Sequence, residues 1–100
     1  MDFDVVWTEP AVGDLEAVVR RVARDDSAAA ETLREKLLES VEVLSRLPYI
    51  GPSYEKDQSG RTREIVCGKY RLFYRVLEAD HRVEIVTVYH SSRREPRLPK

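Results

Sequence analysis

The chain has 100 residues, 42% of them hydrophobic and 35% charged, with a formal net charge of −1. That is enough chain for one hydrophobic core, and the composition is ordinary for a globular protein. No run of about 18 apolar residues occurs, so a transmembrane helix is not expected, and one cysteine with two histidines gives neither an internal disulfide nor the paired ligand spacing of a zinc site.

The near-neutral total hides a split. Residues 1–60 hold seven Lys/Arg against thirteen Asp/Glu, and residues 61–100 hold ten against five, about −6 and +5. A basic half of this kind points to a polyanionic target or an acidic partner. The opening MDFDVVWTEP lacks the layout of a signal peptide. With the lone Cys67, this gives a cytoplasmic expectation, with no metal, cofactor or membrane partner.

In chain order, Phe3 to Trp7 reads as a strand, aromatic and β-branched. Thr8 can cap a following helix, Glu9 suits its positive end, and Pro10 is harmless in a first turn whose N–H groups are unpaired. Ala11, Leu15, Val18, Val19 and Val22 form the apolar stripe of that helix. Asp25-Asp26-Ser27 breaks it. Ser27 is expected to cap a second helix with Ala30, Leu33, Leu37, Val41, Leu44 and Leu47 on one face, ended by Pro48. Residues 48–60 form a loop with two ordering aromatics, Tyr49 and Tyr54. Strands follow at about 62–67, 70–77 and 82–90, with turns at Gly68-Lys69 and Glu78–His81.

The order β-α-α-β-β-β predicts a two-layer α+β fold, with an antiparallel helix hairpin on one face of a four-stranded antiparallel sheet. The first strand is expected antiparallel beside the last. Residues 1–92 read as one domain and residues 93–100 as a basic, extended C-terminal tail. In the third strand Tyr70, Leu72, Tyr74 and Val76 face the helices, while Arg71, Phe73 and Arg75 face the other way. In the fourth both faces are largely apolar, as in a central strand.

Several stretches together resemble a known family. They are Trp7-Thr8-Glu9-Pro10-Ala11 with Asp14-Leu15, Asp25 to Ala30, Pro48-x-x-Gly51, Arg63-Glu64, Tyr70-Arg71-Leu72-x-Tyr74-Arg75-Val76, and Val88-x-His90 with Arg93-Arg94. In this order they resemble the RelE/ParE superfamily of toxins from bacterial type II toxin–antitoxin, or plasmid-stabilisation, modules. The resemblance spans nearly the whole chain and implies the RelE-like fold, neutralisation by a cognate antitoxin and a hetero-oligomer with it. RelE-like and YoeB-like members are ribosome-dependent mRNA endonucleases, or mRNA interferases. ParE-like members inhibit DNA gyrase without cutting RNA.

For a nuclease the resemblance implies that Arg71 acts on the scissile phosphate and His90 as a proton-transfer residue, with Glu55 a further candidate base. Target contact is implied for Arg71, Arg75, Arg93, Arg94 and Arg97. This chain departs from the nuclease patterns at three places. Glu64 stands in the strand where RelE-like toxins carry lysines, Ser91 follows His90 where YoeB-like toxins have tyrosine, and no tyrosine follows Tyr89. A pI near 6.1 is low for a ribosomal A-site ligand. The acidic hairpin and the His-x-x-Arg ending resemble the ParE class more, so gyrase inhibition is the favoured expectation. The ribosome-dependent endonuclease is the alternative, and a degenerate, non-toxic antitoxin-binding module is a second. The plainer readings stand beside these: Arg71 pairs with Glu64 across the hairpin, His90 is a strand-end polar residue, the terminal arginines are solvated, Glu55 is a loop charge, and Trp7 and Cys67 fill the core.

Overall fold

A computed structural model describes residues 2–92. Strand β1 (Asp4–Trp7) leads into α1 (Glu9–Ala23) and α2 (Ser27–Ser40), and the chain then forms β2 (Thr62–Cys67), β3 (Tyr70–Leu77) and β4 (Arg82–His90). The three later strands match the expected bounds. The helices pack on one face of a four-stranded sheet ordered β1-β4-β3-β2.

Thr8 joins the two layers. Its hydroxyl accepts from the Ala11 N–H at 3.3 Å, capping α1, and donates to the Ile85 carbonyl at 2.8 Å, tying the cap to β4. Glu9 and Pro10 occupy the first turn as expected. The cap of α2 is Asp26, whose carboxylate accepts from the Ala29 N–H at 3.1 Å; Ser27, the expected cap, is the first helical residue. A carboxylate placed one residue earlier reaches the free N–H groups and also suits the helix dipole.

Two further expectations are corrected. First, β1 runs parallel to β4, in the register Val5↔Val83 and Trp7↔Ile85, whereas β2–β3 and β3–β4 are antiparallel. The Phe3 N–H donates to the Ser45 carbonyl at 2.7 Å, so the helical segment ends beside the start of β1 rather than beside its end. The chain therefore sets out on β2 in the direction of β1, and two reversals later β4 runs the same way. Second, α2 stops at Ser40 and a 3-10 turn takes over at Glu42–Ser45. Val41 and Leu44 stay buried, but Leu47 is 53% exposed, because the tighter turn rotates it off the stripe.

The core between the layers includes Leu15, Val19, Leu37, Leu44, Leu72, Tyr74, Val83 and Ile85, with Trp7, Tyr70, Val76 and Cys67 packed against it. A smaller cluster of Tyr54, Phe73 and Val86, with Tyr89 against it, lies on the other face. The two clusters confirm the expected division of β3. They also reveal a break in β4. Phe73 pairs with Thr87 and Tyr74 with Ile85, so Val86 is an extra residue in the ladder. Val83, Ile85 and Val88 then belong to the helix side, and Val86 and Tyr89 to the other. The bulge shifts the alternation by one residue.

Candidate functional site

The face away from the helices is built around Arg71. Its Nε donates to Glu64 Oε2 at 2.8 Å, its Nη2 contacts the same oxygen, and its Nη1 donates to the Tyr89 hydroxyl at 2.9 Å. The guanidinium carbon lies 5.7, 5.2 and 5.7 Å from the rings of Tyr54, Phe73 and Tyr89. Tyr54 meets Phe73 edge-on at 4.7 Å and Tyr89 stacks on it at 5.6 Å. Burial alone would pull the Arg71 pKa down; the Glu64 hydrogen bond and charge outweigh it and hold it above the ordinary arginine value. The expected cross-hairpin pair is present, and the aromatic cluster leaves this cation engaged on every side the strands supply.

Arg75 lies on the same face. It pairs in register with Glu84, and its Nε donates to the Thr62 hydroxyl at 3.5 Å. Thr62 is fully buried and bonded through both N–H and hydroxyl to Asp57, which also accepts from the Ser59 N–H and hydroxyl at 3.0 and 2.6 Å. The Ser59 and Thr62 hydrogen bonds hold Asp57 down to about 2. Arg82 reaches Asp80 at 3.6 Å and Glu84 at 3.2 Å. Residues 61–92 hold six Lys/Arg and four Asp/Glu, so the described sheet is far less basic than the sequence half to which it belongs. Most of that excess sits in residues 93–100.

His90 lies on the opposite side. It is the register partner of Tyr70, whose ring it meets edge-on at 5.2 Å and which packs on the interlayer core. Its Nδ1 accepts from the Ser92 N–H at 3.1 Å and lies 2.6 Å from the Ser92 hydroxyl. A backbone N–H can only donate, so this contact requires an unprotonated Nδ1. With Asp14, Arg21, Asp25 and Asp26 it borders a cavity of about 580 Å³ between α1 and the strand ends. Asp14 accepts from the Thr87 hydroxyl at the edge of this cavity.

Thus Arg71 and His90 do not converge. The residue of β4 that shares the Arg71 site is Tyr89, and the bulge at Val86 is the cause. Glu55 is exposed, one residue from Tyr54, and its carboxylate has no partner among the described residues. Arg93, Arg94 and Arg97 lie outside the described residues. Among those described, no group of His, Cys, Asp and Glu is arranged to hold a metal ion, and no helix is long and apolar enough to cross a membrane.

Three residues that hold the site were not among the candidates. Gly51 donates its N–H to the Tyr74 hydroxyl at 2.9 Å, and a Cβ there would lie 2.4 Å from the Glu64 carbonyl oxygen. Arg63 donates through Nη1 to the carbonyls of Tyr49 and Gly51 at 3.2 and 2.7 Å. Tyr49 donates to Glu78, which with burial holds the phenol above its ordinary pKa. The sequence signals for this clamp were the Pro-x-x-Gly spacing, the loop aromatic Tyr49 and the Arg63-Glu64 pair.

The comparisons agree with this architecture. The family described as the ParE toxin of the type II toxin–antitoxin system parDE matches residues 5–95. Among solved structures, the chain is similar to a chain of the chromosomal ParDE system from P. aeruginosa, with TM-score 0.74, 18% identity, and 88% of this chain and 95% of that one covered. It is also similar to a chain of the toxin–antitoxin complex RelBE2 from Mycobacterium tuberculosis, with TM-score 0.61, 26% identity, and 90% and 99% covered. The isolated E. coli RelE toxin gives TM-score 0.57 at 23% identity, with 93% and 88% covered. Among curated proteins none matches. With the Thr8 cap, the Gly51 clamp and the Arg71 sheet face all inside the matched span, the chain belongs to the ParE toxin family of type II toxin–antitoxin systems.

Proposed function

We propose that this protein is the toxin of a toxin–antitoxin pair and acts on DNA gyrase by binding, without cutting RNA. The observation that carries this is the separation of Arg71 from His90. Cleavage at a 2′-hydroxyl needs a base, a phosphate clamp and an acid around one phosphate. Here the nearest phosphate-clamp candidate is occupied by Glu64 and Tyr89, and the imidazole lies across the sheet. An inhibitor needs no such convergence. The family match supports the ParE-like class, and the similarity to chains of the ParDE system and the RelBE2 toxin–antitoxin complex supports a cognate antitoxin as partner, hence a hetero-oligomer.

The test is purified protein in two assays, gyrase supercoiling and cleavage of ribosome-bound mRNA. Loss of supercoiling with intact mRNA is expected. Cleaved mRNA with normal supercoiling would establish the endonuclease reading instead. Inactivity in both, without growth arrest on expression, would leave an antitoxin-binding regulatory module.

A further inference from the structure

At the end of the sheet where β2 starts and β3 finishes lies a second hollow, of about 250 Å³. Arg61, Arg63 and Arg75 line it with Tyr49, Gly60 and Glu84. Three guanidinium groups thus border one carboxylate, and Glu84 already holds Arg82 at 3.2 Å. Unlike Arg71 and Arg82 of the sheet, which each sit on a carboxylate, Arg61 and Arg63 have none among the described residues.

Arg63 is also fixed in advance. Two carbonyls hold its Nη1, and its guanidinium carbon lies 5.0 Å from the Tyr49 ring. A guanidinium locked this way loses little freedom when an anion arrives, and its planar fork matches a carboxylate. Like charges gathered around a concavity favour uptake of an anion.

The surroundings narrow the class of anion. Tyr49, on the wall of the hollow, is 48% exposed, and its sequence neighbours Leu47 and Ile50 are 53% and 55% exposed. Arginine and tyrosine beside uncovered apolar side chains are the composition of a protein interface. A nucleic-acid backbone fits less well, because a chain of net charge −1 with acidic helices gains little from a long polyanion.

We propose that the Arg61–Arg63–Arg75 hollow and the adjoining Leu47–Ile50 segment dock an acidic segment of a partner protein. A carboxylate enters the hollow and a neighbouring apolar side chain covers Tyr49 and Ile50. Only the identification of that partner as the antitoxin rests on the toxin–antitoxin reading.

The probe is a blocked peptide of alternating Glu and Leu, titrated into the full chain and followed by amide and arginine Nε–H resonances. Saturable shifts are expected at residues 47–50, 60–63 and 75, weakening at high salt. Arg61→Gln should weaken binding about tenfold, and Arg61→Lys should retain most of it. The same peptide with Lys for Glu should produce no shifts. The docking site is overturned if the Glu peptide leaves these residues unmoved, if Arg61→Gln binds equally well, or if duplex DNA shifts them more strongly. Growth arrest measured in parallel separates the two readings. A toxic chain that ignores the peptide loses the docking site and keeps its function. A non-toxic chain that binds it keeps the docking site and loses the toxin assignment.

Discussion

Arg71 shows how a residue matched to a catalytic role can be held by structure. The side chains of Arg71 and Glu64 are 23% and 18% exposed, so their pair is neither a surface contact nor a dry one. Arg71→Ala should cost about 2 kcal/mol in urea denaturation, between the values for exposed and buried pairs. The Glu64→Ala, Arg71→Ala cycle should return a coupling of about 1–2 kcal/mol. Independence of the two changes would refute the pairing and reopen Arg71 as a free cation. The pair itself was legible in the sequence from cross-strand spacing. The side of the sheet taken by His90 was not, because uninterrupted alternation from Glu84 puts His90 beside Arg71, and the extra Val86 reverses it. Nothing in a run of Val, Ile and Thr marks where a bulge falls.

Asp57 makes a pH prediction at the same scale. Its folded pKa, about 2, lies below the ordinary 3.8. A depressed carboxylate contributes stability in full above the unfolded value, and that contribution is lost as pH falls through the folded one. The wild type should therefore lose melting temperature between about pH 4 and 2 by more than Asp57→Asn does. Parallel melting curves for the two proteins over that range would remove the proposed role of the carboxylate.

At the scale of elements, the helix stripes and strands follow from short-range pattern. The strand bounds 62–67, 70–77 and 82–90 coincide with β2, β3 and β4, since alternation and turn residues are local signals. The direction of β1 was not legible, because it depends on which end of the sheet the helical segment reaches. That is fixed by packing of α1 on β4 and by the Ser45 carbonyl under Phe3. Leu37 tests the stripe: it is fully buried, and Leu37→Ala should cost about 2–5 kcal/mol. An unchanged denaturation midpoint would mean that α2 presents another face. Gly51 tests the loop. A methyl group there meets the Glu64 carbonyl and the Tyr74 hydroxyl, one backbone and the other buried, so neither can yield cheaply. Gly51→Ala should cost about 1–3 kcal/mol and loosen residues 49–54, seen as faster amide exchange. Protection equal to wild type would show that the loop accommodates the methyl group.

Across the whole molecule, the net positive charge of the basic half is concentrated at one end of the sequence. The arginines of the described sheet are mostly tied to carboxylates, carbonyls or hydroxyls, while residues 93–100 add four Lys/Arg against one Glu. If the protein inhibits gyrase by binding, its affinity should depend on that terminal segment more than on any proton-transfer group. Deleting residues 93–100, or reversing their charges, should weaken inhibition at least about tenfold, as for the loss of several charge contacts at an interface. His90→Ala should change it little, because the imidazole faces the α1 cavity and its polar partner is Ser92. A nuclease inverts the order: His90→Ala would abolish activity by about 10²-fold or more while the fold persists. Supercoiling and mRNA-cleavage assays on the wild type, the truncation and His90→Ala separate these cases, provided circular dichroism first shows all three folded. An inactive His90→Ala beside an active truncation would place the chemistry in the strand end and overturn the binding mechanism, while leaving the ParE family membership and the fold intact.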